Sequence, residues 1–302
     1  MEKYGKIDSK AKALDYAIRD CELKCNNLEY GYETKEKRIY TNYLSNDSWN
    51  SFLEKMCSLH QGQYKDADGG ELQEKNGRYG IYPPKMASFG SSSRFIYRLS
   101  KDIDGFCFEK LLPTYVGPRP ANLDGYCASK GRDVFVEAKC REIYASHKNN
   151  KIRNVYLDVY DYIKKVHPNF CYDAKEKDDD YSSITFYYDK KCIEHFDIKQ
   201  LICHFLGICA NILENNANRN VSFVYLIFNP KNGTDFKFSS KYCESVYKTY
   251  DETIGEIEKL GDMKWLFEAV MGFQSENIGM DPVKCDFSFR LTDQGDYESS
   301  FK

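Results

Sequence analysis

The sequence has no cysteine arrangement typical of a metal-binding or secreted domain. None of its twelve cysteines stands in a C-x-x-C pair, and several lie inside apolar runs, where cysteine acts as a small hydrophobic residue. We therefore expect reduced thiols and no zinc or disulfide framework. Residues 1–16 contain no apolar signal core, and no stretch approaches the length of a membrane span. These absences predict a cytoplasmic protein without a membrane partner.

The chain also lacks an excess of basic charge. Its formal net charge is -3, which excludes the strongly basic surface of a protein that coats nucleic acid nonspecifically. A nuclease needs only a local basic groove, so the net charge weakens a nucleic-acid function without excluding it. The length of 302 residues and the hydrophobic content of 42% are ample for a buried core.

Sequence patterning divides the chain into three consecutive segments. Helix-forming stretches dominate the start, so residues 1–80 are predicted to be an N-terminal helical extension that ends in a Gly-rich polar loop at Gln61–Gly80. Residues 81–235 contain the strands and helices of a core, and residues 236–302 follow a helical pattern again. We expect this C-terminal segment to pack on the core within one compact domain.

The core segment contains a meander of three strands, then a long helix and a buried strand. A helix that crosses from the third strand to a buried fourth one implies an α/β fold, with a mixed central sheet and helices on both faces. Between the third strand and the helix, the run Asp178–Asp180 is predicted to be a solvated loop. The predicted strands are Gly105–Leu112, Ala121–Ala128, Asp133–Glu142 and Val221–Phe228, and the predicted helix is Asp197–Leu213.

Two acids and a lysine lie on neighbouring predicted strands. Asp124 follows a short apolar stretch of the second strand, and Glu137 and Lys139 lie on the third. Strand alternation places Glu137 and Lys139 on one face of the sheet. Two carboxylates about 4 Å apart repel by roughly 4 kcal/mol at an effective dielectric constant near 20, and a divalent cation removes that cost.

This group of residues suits the hydrolysis of a phosphodiester bond. Magnesium takes carboxylate oxygens and water as ligands, so Asp124 and Glu137 are candidate metal ligands, with the backbone carbonyl of Ala138 as a further one. Lys139 could orient or deprotonate the attacking water and stabilise negative charge on the phosphorane. The competing interpretation is an ordinary surface salt bridge on a strand.

Other polar residues surround the motif. Glu109 is a third acid on the preceding strand and could lie near the metal. The alternative interpretation is a glutamate on an edge strand that is exposed to solvent. Gln200 and His204 lie four residues apart on the crossover helix and can share a face, which suits a contact with phosphate or metal-bound water; a purely structural histidine is the alternative. A helix N-terminus near residue 91 could bind a phosphate backbone or be a simple cap. The candidates there are Ser91, Ser92, Ser93 and Arg94.

These residues resemble the PD-(D/E)XK nuclease superfamily, which has the restriction-endonuclease-like fold. The matching motifs are Asp124 in Ala-Asn-Leu-Asp-Gly and Glu137-Ala138-Lys139 on the following strand, with Leu123 in place of the usual proline. The segments PPKMASFGSSSR and FCFEKLLPTYVGPRPANLDGY resemble a bacterial branch assigned to restriction endonucleases. The resemblance covers about residues 83–230.

The resemblance implies a magnesium-dependent endonuclease that cleaves DNA, with Mn²⁺ as an alternative metal. Asp124 and Glu137 would be the metal ligands and Lys139 the catalytic lysine. Gln200 would occupy a helix position where some members of the superfamily carry a glutamine near the active site. Cutting both strands of a duplex favours a homodimer. A repair or RNA-processing nuclease of the same fold, and a non-catalytic nucleic-acid-binding subunit, remain alternatives.

Overall fold

Helices and strands are interspersed throughout the residues that the structure describes. The computed structural model describes residues 9–23, 29–66, 71–78, 80–129, 131–215, 220–232 and 241–301. In chain order the helices and strands are α1 (Lys10–Leu23), β1 (Tyr30–Glu33), β2 (Ile39–Leu44), α2 (Asn46–Lys55), α3 (Ser58–Asp66), β3 (Lys75–Gly77), β4 (Gly80–Tyr82), α4 (Ser92–Ser100), β5 (Phe106–Leu112), β6 (Ala121–Ser129), β7 (Arg132–Lys139), β8 (Asn150–Arg153), α5 (Leu157–Val166), β9 (Phe170–Asp178), β10 (Tyr181–Tyr188), β11 (Lys191–Ile193), α6 (Ile198–Asn215), β12 (Asn220–Ile227), α7 (Lys241–Leu260), α8 (Lys264–Ile278) and β13 (Phe287–Asp293).

A five-stranded mixed sheet forms the centre of the structure. Its strand order is β13-β12-β7-β6-β5. β5, β6 and β7 form an antiparallel meander, whereas β12 and β13 run parallel to β7. The α/β class and the mixed sheet predicted from the sequence are confirmed. Every residue of β12 after Asn220 is buried, as expected for a parallel strand that is covered on both faces.

The two faces of the sheet support separate cores. On one face, α6 and α8 pack against side chains such as Phe135 and Tyr225. On the other face, α2, α3 and α4 pack against Val134, Val136 and Ala138. The alternation of β7 therefore fills both cores from one strand, and it confirms the prediction of helices on both faces.

The predicted helical start of the chain was wrong in part. A β-hairpin of β1 and β2 separates α1 from α2, and Gln61–Asp66, predicted as loop, belongs to α3. The later part of the predicted loop contains the short hairpin of β3 and β4. Residues 67–70 and Tyr79 of that loop lie outside the described residues. Strands of four to six residues with mixed polarity are too short for their period to be distinguished from that of a helix.

The C-terminal segment is also not entirely helical. The helical pattern predicted there is confirmed by α7 and α8, but β13 adds a fifth strand to the central sheet, parallel to β12. Phe287 and Phe289 of β13 stack on Phe267 and Phe223 respectively. The apolar residues Phe287, Phe289 and Leu291 of this strand alternate with polar ones, so the strand pattern was present in the sequence but was overlooked after the long helical stretch.

An inserted sheet lies between β7 and α6. β10 pairs with β9 along one edge, and with β8 and β11 along the other. The charged run Asp178–Asp180 occupies the turn between β9 and β10 and is exposed, which confirms its predicted solvation. The surrounding segment, polar in sequence, forms strands because α5 and α8 cover one face of the sheet with apolar side chains such as Ile163.

Gly207 allows α6 to lie close against the central sheet. A Cβ atom at this position would be 2.8 Å from Cβ of Ala121 and 2.9 Å from Cβ of Leu112. Such distances are too short for carbon atoms, so any side chain would push the helix away from β5 and β6. Because α6 carries Gln200 and His204, this contact also sets the height of both side chains above the sheet.

We expect Gly207→Ala to lower the free energy of unfolding by up to about 2 kcal/mol. The substitution gains roughly 1 kcal/mol of helix propensity but overpacks the interface, which costs about 1–3 kcal/mol. Gly255 in α7 has no heavy atom near the corresponding Cβ position, so Gly255→Ala is the matched control and should be neutral or stabilising. Urea denaturation of both variants measures the difference. Equal stabilisation by both would contradict the close approach of α6.

Candidate active site

Glu137 and Lys139 form a buried ion pair at the end of β7. Nζ of Lys139 donates a hydrogen bond to Oε1 of Glu137 at 2.6 Å. The two residues are only 2% and 6% exposed, while Val136 and Ala138 face the opposite core. The shared face predicted by strand alternation is therefore confirmed. In a buried environment the pair is much more strongly coupled than a surface salt bridge.

Asp124 lies where β6 and β7 separate. The backbone ladder between these strands ends at the pair Gly125 and Val136. Beyond that pair, Oδ2 of Asp124 accepts a hydrogen bond from the backbone N–H of Ala138 at 2.7 Å. The carboxylate takes the place of a backbone acceptor and is held beside Glu137. At Gly125 a Cβ would lie 2.2 Å from Cζ of Phe106, so the sequence needs glycine at this point.

Glu109 reaches the same site through an unusual backbone conformation. Its φ of 53° is in the left-handed region, and it interrupts the ladder between the pairs Phe108–Gly125 and Lys110–Leu123. Such a conformation costs a non-glycine residue on the order of 1 kcal/mol. The carboxylate accepts hydrogen bonds from Nδ2 of Asn122 at 2.7 Å and from Oγ of Ser93 at 3.3 Å. Glu109 is partly buried within the site, rather than a solvated edge residue.

The two acids on β5 and β6 hold protons more tightly than usual. Burial raises the pKa of Glu109 to about 7, and the carboxylates of Glu71 and Glu137 add to the shift against the hydrogen bonds that Glu109 accepts. Burial, followed by the charges of Glu137 and Glu109, raises the pKa of Asp124 well above its ordinary value. Glu109, Asp124 and Glu137 are therefore close enough to repel one another.

The pKa values of the ion pair on β7 shift so that both groups are more strongly ionised than usual. Burial alone would raise the pKa of Glu137, but the charges of Lys139 and His204 outweigh it and lower that pKa to about 2. Burial would lower the pKa of Lys139, but the carboxylate of Glu137 outweighs it and raises that pKa. Both groups are thus charged over the whole physiological range.

Gln200 and His204 of α6 complete the surroundings of Glu137, and their predicted shared face is confirmed. Nζ of Lys139 donates to Oε1 of Gln200 at 2.6 Å, and Nε2 of Gln200 donates to Oε1 of Glu137 at 2.9 Å. Nε2 of His204 lies 3.0 Å from Oε2 of Glu137, an ion-pair distance at angles unfavourable for a hydrogen bond. Within the described part of the chain, Oε2 of Glu137 is buried with no hydrogen-bond partner.

The segment at the start of α4 is directed inward. Oγ of Ser91 caps the helix by accepting from the backbone N–H of Arg94 at 3.1 Å, and Ser92 donates to Glu142. Arg94 is 1% exposed and donates to the carbonyl of Ala87 at 3.1 Å. The predicted contact of Arg94 with a DNA backbone was therefore wrong, because the guanidinium lies inside the protein. Ser93 serves the site by orienting Glu109.

Sequence reasoning missed two polar supports of the site. Asn122 stands two residues before Asp124 on β6, and that spacing alone could have placed both on one face. Glu71 is 9% exposed and forms an ion pair with Lys85 at 2.8 Å. No periodic pattern marks Glu71, since it lies in the Gly-rich stretch before β3.

The acids do not form a closed metal centre. Across the described ranges, no three His, Cys, Asp or Glu side chains are placed as a set that could hold a metal ion. The reason is local, because the Glu137 carboxylate is directed at Lys139, Gln200 and His204.

No protein-family model, curated protein or solved structure matches this chain. Function must therefore be inferred from the fold and the site themselves. Among the residues that the structure describes, no helix has both the length and the apolar composition needed to cross a membrane.

We expect Glu109→Gln to become more stabilising as the pH rises. The folded-state pKa of Glu109, about 7, exceeds the ordinary value of 4.5, so the folded protein binds this proton more tightly than the unfolded chain does. Its contribution to stability is fully present below about pH 4.5 and is lost as the pH approaches 7. The variant should gain up to roughly 3 kcal/mol relative to the wild type between those values. Urea titrations in EDTA across this range measure the gain.

Glu137→Gln should change the pH dependence of stability in the opposite direction. The lowered pKa of Glu137 gives stability that is present above about pH 4.5 and lost as the pH falls toward 2. This variant should be the less stable protein at pH 7, with a deficit that shrinks in acid. A pH-independent difference between the wild type and Glu109→Gln would contradict the burial of a proton on Glu109.

Proposed function

We propose that the protein is a magnesium-dependent endonuclease that cleaves DNA, with a restriction-endonuclease-like core formed by α4, β5, β6, β7, α6 and β12. One observation carries this proposal. At the point where β6 and β7 separate, Asp124, Glu137 and Lys139 lie together, and Asp124 is fixed by the N–H of Ala138. A strand acid beside a Glu-x-Lys strand is the arrangement that the PD-(D/E)XK resemblance leads us to expect.

The donor atoms of the site fit a hard divalent cation. The carboxylates of Asp124 and Glu137 and the carbonyl of Ala138 would hold Mg²⁺ or Mn²⁺, which prefer oxygen ligands. Two features support this fit: burial and then the carboxylates of Glu137 and Glu109 raise the pKa of Asp124, and Oε2 of Glu137 has no hydrogen bond of good geometry in the described structure, although it lies 3.0 Å from Nε2 of His204. When bound, the metal supplies charge that polarises the phosphoryl group and lowers the pKa of water.

Lys139 supplies a fixed positive charge next to the reacting phosphate. Its Nζ is held by Glu137 and Gln200, so little reorganisation is needed as negative charge develops on the phosphorane. The Gln200 amide bonds to both partners and prevents Lys139 from rotating away. This role agrees with the catalytic lysine that the resemblance implies.

Glu109 is placed to exchange a proton near neutral pH. Its pKa of about 7 is close to the optimum for a general acid or base, and its two oxygens are oriented by Asn122 and Ser93. Structural ion-pair networks also produce shifted pKa values, but this carboxyl lies beside two further acids and the lysine. Proton transfer between Glu109 and water or the leaving oxygen follows from this position.

A non-catalytic nucleic-acid-binding subunit on the same fold is the competing function. The direction of the Glu137 carboxylate, toward Lys139 and His204 rather than into a closed metal centre, favours it. Such a subunit retains DNA but gives no product with Mg²⁺ or Mn²⁺. Cleavage assays therefore separate the two functions directly.

We expect Asp124→Asn to lower magnesium-dependent nicking of supercoiled plasmid by at least about 100-fold. The amide oxygen can still accept from Ala138, so the variant should fold, and it loses the charge that holds the metal. Lys139→Gln should lose activity similarly and keep a bond to Glu137. Lys139→Ala is the poorer test, because an unpaired buried Glu137 costs about 3–5 kcal/mol of stability.

Asp133→Asn is the matched control for this experiment. Asp133 is also a buried acid of the sheet, but it lies at the far end of β7 and accepts from the Tyr126 hydroxyl at 2.7 Å. The nicking activity of Asp133→Asn should remain at the wild-type level. Wild-type nicking rates in Asp124→Asn would overturn the assignment, as would a wild type that cuts equally well in EDTA.

A further inference from the structure

A cavity of about 430 Å³ lies between the inserted sheet and the start of α6. Its walls come from four parts of the chain: the loop at 118–120 before β6, strands β8 and β10, residues 156–160 at the start of α5, and the first turns of α6. Cavities of this size hold small organic molecules or single units of a polymer. The inserted sheet, which is not needed to complete the central sheet, supplies one side of it.

The cavity is strongly basic in a protein of net negative charge. Four cationic side chains line it: Arg119, Lys151, Arg153 and Lys199. The one lining acid is Asp197, and its carboxylate is already engaged, with Oδ1 accepting from the N–H of Gln200 at 3.1 Å. Oδ2 of Asp197 lies 3.5 Å from Nδ1 of His147. Nζ of Lys151 also lies 3.9 Å from Oδ2 of the exposed Asp178, but the lining still carries four cations against one acid, as an anionic ligand requires.

Aromatic rings alternate with these cations. Tyr156, Tyr160 and Tyr181 line the same cavity. Nζ of Lys151 lies 3.7 Å from the centroid of the Tyr181 ring, and the guanidinium carbon of Arg153 lies 5.6 Å from it. Cations beside aromatic rings are the combination that binds single-stranded nucleic acid, where bases stack on rings and phosphates meet the charges. A paired duplex presents its phosphates but keeps its base faces stacked.

The cavity adjoins the candidate active site through one residue. Gln200 lines the cavity, and its side-chain amide bonds to both Glu137 and Lys139. A ligand in the cavity is thus one side chain away from the ion pair. If a nucleic-acid strand is bound with its scissile phosphate at the ion pair, the neighbouring nucleotide of that strand lies at the cavity.

We propose that this cavity binds an unpaired nucleotide of the substrate strand beside the scissile phosphate. The proposal rests on the nuclease function proposed above and narrows its substrate to DNA that contains an unpaired or extruded nucleotide at the cut. Stacking on Tyr181 and Tyr156, which are partly exposed, and contacts of the flanking phosphates with Arg119, Lys151 and Arg153 hold the nucleotide. A perfectly paired duplex leaves the cavity without a base.

Fluorescence anisotropy in EDTA tests the proposal without relying on cleavage. The probes are a labelled DNA duplex of about 30 base pairs and the same duplex with one unpaired nucleotide. We expect the wild type to bind the second probe about tenfold more tightly, which is within the range of one base stacking on an aromatic side chain. Equal affinity of the wild type for the two probes would overturn the proposal.

Variants locate the binding to the cavity. Tyr181→Ala removes the stacking ring, and Arg119→Ala/Arg153→Ala removes two exposed charges without touching a core. Tyr181→Ala should abolish the preference for the unpaired nucleotide, and Arg119→Ala/Arg153→Ala should reduce it while also weakening the binding of both probes. Lys164→Ala is the matched control, because Lys164 also lies over a tyrosine of the insert, Tyr172, but does not line the cavity. Retention of the preference in both variants would place the nucleotide elsewhere.

The two proposals fail in different ways. If Asp124→Asn loses nicking while Tyr181→Ala keeps the wild-type preference, the nuclease function stands and the cavity assignment falls. If no protein nicks DNA with Mg²⁺ or Mn²⁺ but Tyr181→Ala loses the preference, the cavity assignment stands and the nuclease function falls. Circular dichroism of each variant excludes misfolding as the cause.

Discussion

The buried ion pair of Lys139 and Glu137 is the interaction on which the site depends. Removing two charges from water is costly, and their mutual attraction offsets that cost only when the geometry is good and further hydrogen bonds are present. Gln200 provides those bonds by donating to Glu137 and accepting from Lys139. Gln200 reaches them only because α6 lies close to the sheet, which Gly207 permits. The packing of one helix thus determines whether the pair can form.

The remaining acids give the site an excess of negative charge that the fold does not neutralise. Lys139 is engaged with Glu137, so burial and the neighbouring carboxylates raise the pKa values of Asp124 and Glu109 despite the hydrogen bonds that both acids accept. The backbone strain at Glu109 adds to this cost. Crowding these carboxylates where β6 and β7 separate lowers the stability of the folded protein. Such electrostatics are typical of a site for a cation or for proton transfer.

Much of this site could be predicted from local patterns. Alternation along β7 put Glu137 and Lys139 on one face, and a spacing of four residues put Gln200 beside His204. The sequence identified Glu109 as a candidate acid but did not indicate its backbone conformation. Its positive φ follows from the pairing of β5 with β6 and from the hydrogen bond that Asn122 donates. Arg94 was misjudged for a similar reason. A short helix start resembles a phosphate site in sequence, and only the packing of α4 shows its guanidinium to be internal.

The larger omissions have a common physical cause. β13 has a clear strand alternation but joins the sheet only through β12, far earlier in the chain, whereas the strands of the inserted sheet are short or highly charged and are covered by α8, which is equally distant in sequence. The same distance hides the basic cavity, since Arg119, Lys151 and Lys199 come from three separated segments. The net charge of -3 is therefore an average that does not show this local group of cations. What recognises a polyanion is the local field of a concave surface, and in this protein the insertion between β7 and α6 creates that field beside Lys139.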